Sequence, residues 1–201
     1  MNDTRSISPD LFENGYKDSY VPNLIFGTPI WHLKYELPKG AYEWALKYKK
    51  NNSGRLYSNY GGYQSTDFSI VNSPFGEHIQ NCLYFLPEFM YLDGWLNINS
   101  NTDFNMMHDH PQSDLAVIWY ITDNMPGKLI FKDPHSFARS RLYNKINQSI
   151  PMKENINQQY APVCNAGDIL IFPADLLHGV TPSYKKELRI SVSFNLLLKP
   201  Y

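Results

Sequence analysis

Cysteine, excess charge and long apolar runs are all scarce in this chain. Only Cys82 and Cys164 are present, which excludes the disulfide framework of a small secreted protein, and the N-terminal residues lack the layout of a signal peptide. These absences favour a reducing, cytoplasmic setting. A formal net charge of -1 argues against bulk nucleic-acid binding. No apolar run approaches the roughly 20 residues needed to cross a bilayer, so we expect no membrane span.

Aromatic residues and prolines are abundant instead. Aromatics make up 15% of the chain, and 14 prolines punctuate it. This composition suits β-structure with many turns better than a helical bundle. A length of 201 residues predicts one domain with ample material for a core. We expect residues 1–22, which lack any hydrophobic period, to form an N-terminal arm, and residues 23–201 to form the domain.

Two helices are predicted in the first half of the chain. Residues 39–52 place Tyr42, Ala45, Leu46 and Lys49 at helical spacing, and lysines gather in the last turns, where they complement the helix dipole. A second helix is predicted from 74 to about 89, with Ser73 as its N-cap and a proline at its first position.

The second half reads as short strands separated by turns. Strand patterns begin at 23–35 and recur from residue 92 onward, without intervening helical patterns, through the final strand RISVSFNLLL at 189–198. This pattern predicts a mainly β fold, a two-sheet jelly roll or barrel with flanking N-terminal helices. The polar stretch 137–159 lacks strand alternation and is too long for an ordinary hairpin, so it is either a lid or a surface insertion without catalytic duty.

Three histidines have the spacing of a metal site. His108 and His110 flank Asp109, and in a strand residues two apart point to the same face, so both imidazoles would lie on one side. His178 follows the apolar strand DILIFP at another strand start. Three imidazoles suffice to hold a divalent first-row metal on one side and leave positions open for ligands.

The final strand sorts its side chains into two classes. Arg189, Ser191, Ser193 and Asn195 alternate with the apolar residues Ile190, Val192, Phe194 and Leu196. If the polar face lies inside the roll, Arg189 is a buried cation that needs an anion, and its planar guanidinium fits a carboxylate. If that face lies outside, Arg189 is solvated or paired with an internal carboxylate.

Together these residues resemble a known family. The pattern of His108 and His110, then His178, then Arg189 and Ser191 resembles that of the Fe(II)- and 2-oxoglutarate-dependent oxygenases, in particular a bacterial and viral subgroup. The similarity also includes IFGTPIW, GGYQS at 61–65, WLN at 95–97 and the block GDILIFPADLLHGVTP, and it spans roughly residues 23–198.

The resemblance implies a double-stranded β-helix, the cupin-like jelly roll, with helices outside one sheet. It implies Fe(II) on His108, His110 and His178, and a 2-oxoglutarate carboxylate on Arg189, Ser191 and Tyr120. The implied reaction uses O2, oxidatively decarboxylates 2-oxoglutarate to succinate and carbon dioxide, and hydroxylates an unidentified substrate, such as a prolyl or other protein side chain.

One departure from the family concerns the third metal ligand. His110 stands where most relatives carry a carboxylate, which leaves the site one charge unit more positive. Asp109 is one residue out of strand register, Asp114 could arrive through the following turn, and the third position could be open to water, so all three remain alternatives to His110. Asn97 and Asn105 are weaker candidates for pocket contacts, and either could instead tie down a loop.

Two other functions remain open from the sequence. A cupin-like three-histidine dioxygenase would need no 2-oxoglutarate and would leave Arg189 ion-paired or in solvent. A catalytically inactive jelly roll would serve assembly or binding. Of the remaining histidines, His32 and His78 have no partners at useful spacing and are expected to be structural, whereas His135 could face the mouth of the site. The separation of the two cysteines gives no reason to expect a disulfide. Oligomeric state and substrate are not determined by the sequence.

Overall fold

Two antiparallel β-sheets face each other in the computed structural model, which describes residues 27–123, 127–135 and 159–199. The expected N-terminal arm and nearly all of the predicted 137–159 insertion lie outside these ranges. Helix α1 spans Ala41–Asn51 and α2 spans Gly76–Cys82. The strands are β1 Trp31–Lys34, β2 Gly54–Arg55, β3 Asn59–Tyr60, β4 Tyr63–Ser65, β5 Phe89–Asn99, β6 Phe104–His108, β7 Leu115–Tyr120, β8 Leu129–Lys132, β9 Gln159–Tyr160, β10 Asp168–Pro173, β11 His178–Val180 and β12 Arg189–Leu198.

The large sheet has seven strands in the order β1-β10-β7-β12-β5-β4-β2, and the small sheet has five in the order β3-β6-β11-β8-β9. Neighbours in both sheets that are far apart in sequence pair antiparallel, as β10 does with β7 and β11 with β6. The predicted jelly-roll class is confirmed. No helix among the described ranges has both the length and the apolar character of a membrane span.

The outer face of the large sheet packs on the helices. Residues such as Val192 and Phe194 of β12 and Trp119 of β7 form one buried cluster with Ala45 of α1 and Ile79 of α2. Alternation along β7 turns Trp119 towards the helices and away from the interior of the roll. Leu115 also belongs to this outer cluster.

Helix α1 is confirmed, but its buried face differs in detail from the predicted one. Ala41 and Ala45 are buried, whereas Tyr42 and Leu46 are exposed. Small residues at positions four apart let the helix lie close to the sheet. Lys49 and Lys50 occupy the last turn, as expected.

Helix α2 is shorter than predicted. It ends at Cys82, well before residue 89, and Ser73 does not cap it; the Ser73 hydroxyl donates to the Ile70 carbonyl and accepts from the Phe75 N–H of the preceding turn. The prediction for 83–89 is wrong because Phe89 already pairs with Leu198 in the large sheet. Long-range pairing here overrides local helix propensity.

The inner face of the large sheet looks into the roll. Arg189, Ser191 and Ser193 of β12 are buried there, so the polar face of this strand points inward. Strand β12 lies between β5 and β7, with Ser191 opposite Asn97 on one side and Tyr120 on the other. The centre of the sheet therefore carries the polar side chains that line the site.

Candidate functional site

Three imidazoles meet at one end of the roll. Ring centroids of His108 and His178 lie 4.4 Å apart, and those of His110 lie 5.1 Å from His108 and 5.2 Å from His178. One ligand nitrogen from each residue falls within 4.8 Å of the others. This spacing is what a tri-histidine metal centre requires.

The small sheet positions two of these histidines. His108 ends β6 and His178 begins β11, and the two residues are directly paired across the antiparallel ladder. Between the strands, Gly179 provides a close approach: a Cβ there would lie 2.9 Å from the Asn105 carbonyl oxygen and 2.9 Å from the Met107 sulfur. Only a residue without a side chain lets β11 lie this close to β6.

His110 reaches the same point from outside a strand. Strand β6 ends at His108, so the expectation that both His108 and His110 would lie in one strand is wrong. The His110 N–H instead donates to the Ala174 carbonyl at 2.8 Å, and the His110 carbonyl accepts from Ser113 at 3.1 Å. This turn, together with the Trp95 ring at 5.4 Å, holds the imidazole towards the other two.

Backbone carbonyls set the tautomers of two imidazoles. His108 Nδ1 lies 2.7 Å from the Met106 carbonyl oxygen, and His178 Nδ1 lies 2.8 Å from that of Leu176. A carbonyl oxygen only accepts, so each Nδ1 carries the proton and each Nε2 keeps its lone pair. Hydrogen bonds of this kind orient metal-binding histidines and raise their basicity as ligands.

Burial keeps the three imidazoles neutral. Desolvation lowers the pKa of His108. Desolvation, with a smaller contribution from the neighbouring imidazoles, lowers the pKa of His110 to about 4 and that of His178 to about 3. Near neutral pH none of the rings is protonated, so all three offer a free lone pair to a cation.

The carboxylate alternatives for the third ligand lie elsewhere. Asp109 is exposed and lines an outer groove, and neither Asp109 nor Asp114 joins the cluster of ligand atoms. Asp114 Oδ2 accepts a hydrogen bond from the Leu198 N–H at 2.7 Å, which ties it to the end of β12. Of the three candidates, the structure brings only His110 next to His108 and His178.

Arg189 lies in the cavity that the three histidines also line. It is 2% exposed, its Nη1 donates to Ser191 Oγ at 3.3 Å, and its guanidinium lies 5.4 Å from the centre of the Tyr120 ring. Within the described ranges no carboxylate pairs with it, and its Nε has no hydrogen-bond partner. A buried, unpaired cation of this kind is costly unless an anion binds it.

Tyr120 lies beside Arg189 and offers a further hydrogen-bond donor. Its hydroxyl is buried without a hydrogen-bond partner among the described residues, and desolvation raises its pKa, so it stays protonated and can donate. A guanidinium Nε–H and a phenol O–H, both unpartnered, together with the Ser191 hydroxyl fit the donor requirement of a carboxylate such as that of 2-oxoglutarate.

Asn97 and Asn105 both line the cavity and both tie down its wall. Asn97 Nδ2 donates to Ser193 Oγ at 3.3 Å. Asn105 Oδ1 accepts from Asn99 at 2.9 Å, and Asn105 Nδ2 donates to Ser58 Oγ at 3.3 Å. The two roles considered for these residues are thus not exclusive.

Trp95 lines the cavity although it was not predicted as a site residue, and alternation along β5 could have identified it. Ser193 and Asn195, which alternation placed on the same face of β12 as Arg189, line the cavity too. His32, which was expected to lack a partner, has Nε2 3.0 Å from Asp168 Oδ2. His135 lies beside Asp133 and lines neither cavity near the site. Cys82 and Cys164 are both free, as expected.

The family model described as "Putative 2OG-Fe(II) oxygenase" matches residues 93–195. No curated protein matches the sequence. The chain is similar to a prolyl-4-hydroxylase of Pseudomonas putida, with 10% identity, a TM-score of 0.56, and coverage of 86% of this chain and 94% of that one.

Two further solved structures share the fold. HygX from Streptomyces hygroscopicus, with nickel and 2-oxoglutarate bound, has 10% identity, a TM-score of 0.57, and coverage of 87% of this chain and 84% of that one. SnoN, a non-haem alpha-ketoglutarate-dependent epimerase from nogalamycin biosynthesis, has 12% identity, a TM-score of 0.60, and coverage of 85% and 78%.

Proposed function

This chain belongs to the family of 2-oxoglutarate- and Fe(II)-dependent oxygenases, and from that premise we propose that it hydroxylates a protein side chain, proline being the first to test. It is an enzyme whose cofactor is Fe(II) and whose co-substrate is 2-oxoglutarate. When bound, this pair supplies the chemistry by which O2 oxidises both a substrate C–H to C–OH and 2-oxoglutarate to succinate and carbon dioxide. The protein binds, orients and shields the reactants.

One observation carries the proposal: the buried Arg189 guanidinium, which pairs with no carboxylate of the described ranges, shares its cavity with three neutral imidazoles. In our proposal Arg189, Ser191 and Tyr120 hold the distal carboxylate of 2-oxoglutarate through charge-assisted hydrogen bonds. The opposite end of the co-substrate then faces His108, His110 and His178. A cupin-like dioxygenase without 2-oxoglutarate would have no use for this buried cation.

His108, His110 and His178 are the proposed Fe(II) ligands. The Nε2 lone pairs that remain on His108 and His178 after hydrogen bonding of each Nδ1 support this role. With His110 in place of a carboxylate, all three ligands are neutral, and the metal keeps its full double charge. We therefore expect weaker retention of Fe(II) than in a relative with two histidines and a carboxylate.

The outer groove, which adjoins the three histidines, is the proposed path for the substrate. It has about 1320 Å³ of open volume, against about 430 Å³ for the inner cavity, and His108, His110, Trp95 and Asn195 line both. Tyr57, Asp93 and Gln112 line only the outer one. An open groove of this size beside the metal admits a segment of a chain, which supports a side chain of a protein as the substrate.

Anaerobic spectroscopy tests the binding roles. Addition of Fe(II) and 2-oxoglutarate without oxygen should produce the visible charge-transfer band of the chelate in the wild-type protein. The band should be absent in His178→Ala and require far more 2-oxoglutarate in Arg189→Ala. His135→Ala, which removes a histidine outside the site, is the control. Tight metal binding without any such band would contradict the proposed co-substrate pocket.

Substrate-dependent turnover tests the rest. Succinate production should rise above the uncoupled background when proline-containing peptides are added, and mass spectrometry should find one added oxygen in the peptide. Free proline should give little stimulation, because it is too small to contact most of the outer groove. Stimulation by free amino acids and by no peptide would contradict a protein substrate without affecting the assignment as an oxygenase.

A further inference from the structure

A second cluster of metal-binding side chains lies away from the three histidines. His32, Cys164 and Asp168 each place one ligand atom within 4.8 Å of the others. Strand pairing brings them together: β1 lies beside β10 at the edge of the large sheet, with Lys34 opposite Asp168 and His32 opposite Leu170. Cys164 lies in the segment between β9 and β10.

The cluster is largely enclosed. Asp168 is 3% exposed and Cys164 is 6% exposed, while the His32 side chain keeps 32% of its surface in solvent. Asp168 is also held in place, since its Oδ2 accepts from the Asn165 N–H at 2.8 Å. A cation could enter from the His32 side and reach two side chains that are already oriented.

Asp168 has coordination capacity left over. Oδ2 lies 3.0 Å from His32 Nε2, and Oδ1 lies 3.7 Å from Lys34 Nζ, which is beyond a good hydrogen bond. No other partner of Oδ1 is present in the part of the chain that the structure describes. A metal ion would replace the direct contact between His32 and Asp168 and bring both residues onto one centre.

Cys164 has no other evident use as a reactive group. Desolvation raises the pKa of its thiol to about 11, so the free thiol is protonated and a poor nucleophile at neutral pH. A bound divalent cation deprotonates a coordinating thiol, and the proton passes to solvent. The buried thiol therefore suits a metal ligand better than a redox sensor.

We propose that His32, Cys164 and Asp168 form a second divalent-metal site, of the zinc type, with water as the fourth ligand. Nitrogen, thiolate sulfur and carboxylate oxygen are the donors that Zn²⁺ takes in tetrahedral sites. In such a site ligand atoms lie about 3.3 to 3.8 Å apart, so small side-chain rotations complete the geometry. The thiolate makes this site chemically distinct from the three imidazoles.

The proposed site joins the edge of the large sheet to the co-substrate pocket. Cys164 belongs to the same buried cluster as Tyr120, whose ring contacts the Arg189 guanidinium. A bound ion would fasten β1 and the segment before β10 to the wall that holds Tyr120. We expect it to raise the melting temperature by mass action, as any ligand of the native state does.

Cobalt is the probe of choice, because a thiolate bound to Co²⁺ produces a charge-transfer band in the near ultraviolet and imidazole ligands do not. The wild-type protein should bind two equivalents of Co²⁺ and show this band. His178→Ala, which disables the histidine centre, should keep the band and one equivalent. Zn²⁺ added afterwards should abolish the band.

Matched cysteine variants identify the ligand. Cys164→Ser should lose the band and one equivalent of Co²⁺, whereas Cys82→Ser, which removes an equally buried thiol elsewhere, should keep both. His32→Ala, at a partly exposed position, provides a second variant if Cys164→Ser does not fold. Absence of the band in folded wild-type protein, or its persistence in Cys164→Ser, would overturn the proposal. In either case Fe(II) binding at the three histidines is unaffected, so the proposed function is tested separately.

Discussion

The two sheets of the roll are built differently. The four central strands of the large sheet have six to eleven residues. Helices pack on their outer face, and their inner face lines the cavity of the candidate site. The small sheet has strands of two to five residues and exposes Met106 and Met107 on β6. Stability therefore depends mainly on the large sheet, where most of the apolar surface is buried.

The two sheets also carry different parts of the candidate site. Arg189 and Tyr120, the proposed carboxylate donors, lie on long strands of the large sheet, whereas His108 and His178 lie at the ends of short strands in the small one. A short sheet can carry metal ligands because the ion itself bridges its strands. The comparison predicts that changes in the small sheet affect metal binding most, and changes at Arg189 affect the co-substrate.

The largest effect is expected from His178→Ala. Substitution of a residue that only supports a metal ligand costs about 10- to 100-fold in affinity, so loss of a ligand should exceed about 100-fold. Fe(II) binding and succinate production should both fall below detection under standard assay conditions, while the melting temperature of the metal-free protein changes little. Activity retained with added Fe(II) would place the metal elsewhere.

Arg189→Met should lower the affinity for 2-oxoglutarate without lowering the stability of the apo protein. Truncation of one partner of a buried, hydrogen-bonded charge pair costs about 2 to 5 kcal/mol, so the affinity for 2-oxoglutarate should fall by roughly 30-fold or more. Without co-substrate the guanidinium is a buried unpaired charge, so the apo variant should be as stable as wild type or more stable. Equilibrium unfolding and titration of 2-oxoglutarate measure the two effects. Strong destabilisation of the apo protein would show that Arg189 has an internal role.

Gly179→Ala tests the close approach of the two histidine strands. The new methyl group would lie 2.9 Å from the Asn105 carbonyl oxygen, so β6 must move away. Overpacking of this kind costs about 1 to 3 kcal/mol. The shift should weaken Fe(II) binding more than 2-oxoglutarate binding, because His108 moves with β6 and Arg189 does not. Equal losses of Fe(II) and 2-oxoglutarate affinity would contradict the assignment of metal binding to the small sheet and co-substrate binding to the large one.

Asp109→Asn should have the smallest effect. Asp109 is exposed and outside the histidine cluster, and an exposed charge near a site contributes about 0 to 1 kcal/mol. Fe(II) affinity should therefore change by less than about 5-fold. His110→Ala, in contrast, should lower it strongly. The reverse order would make Asp109 the third ligand and would require the 108–110 segment to rearrange around the metal.

Much of the site could be predicted from local patterns. Alternation along β12 correctly separated Arg189 and Ser191 from Val192 and Phe194, because a strand has only two faces. Features that depend on partners distant in the chain could not be predicted. Helix α2 was extended too far because nothing in residues 83–89 reveals that Phe89 pairs with Leu198.

The contacts of His32 with Cys164 and Asp168 also could not be predicted from the sequence. No spacing links His32 to Cys164 or Asp168, and only the register of β1 against β10 brings them together. His110 reaches His108 and His178 through a turn closed by its own carbonyl and the Ser113 N–H, although strand geometry suggested a different route. Residue types indicate which chemistry is possible, but which residues contact one another depends on how the strands pair.

The order of residues along each strand sets which donors are available and on which face they lie, because side-chain alternation is a local property of the backbone. Which of these donors come into contact depends on the folded chain. His108 and His178 come together through the register of two strands far apart in sequence, and Gly179 permits their close approach. Register depends on the packing of the whole core, which no local segment encodes.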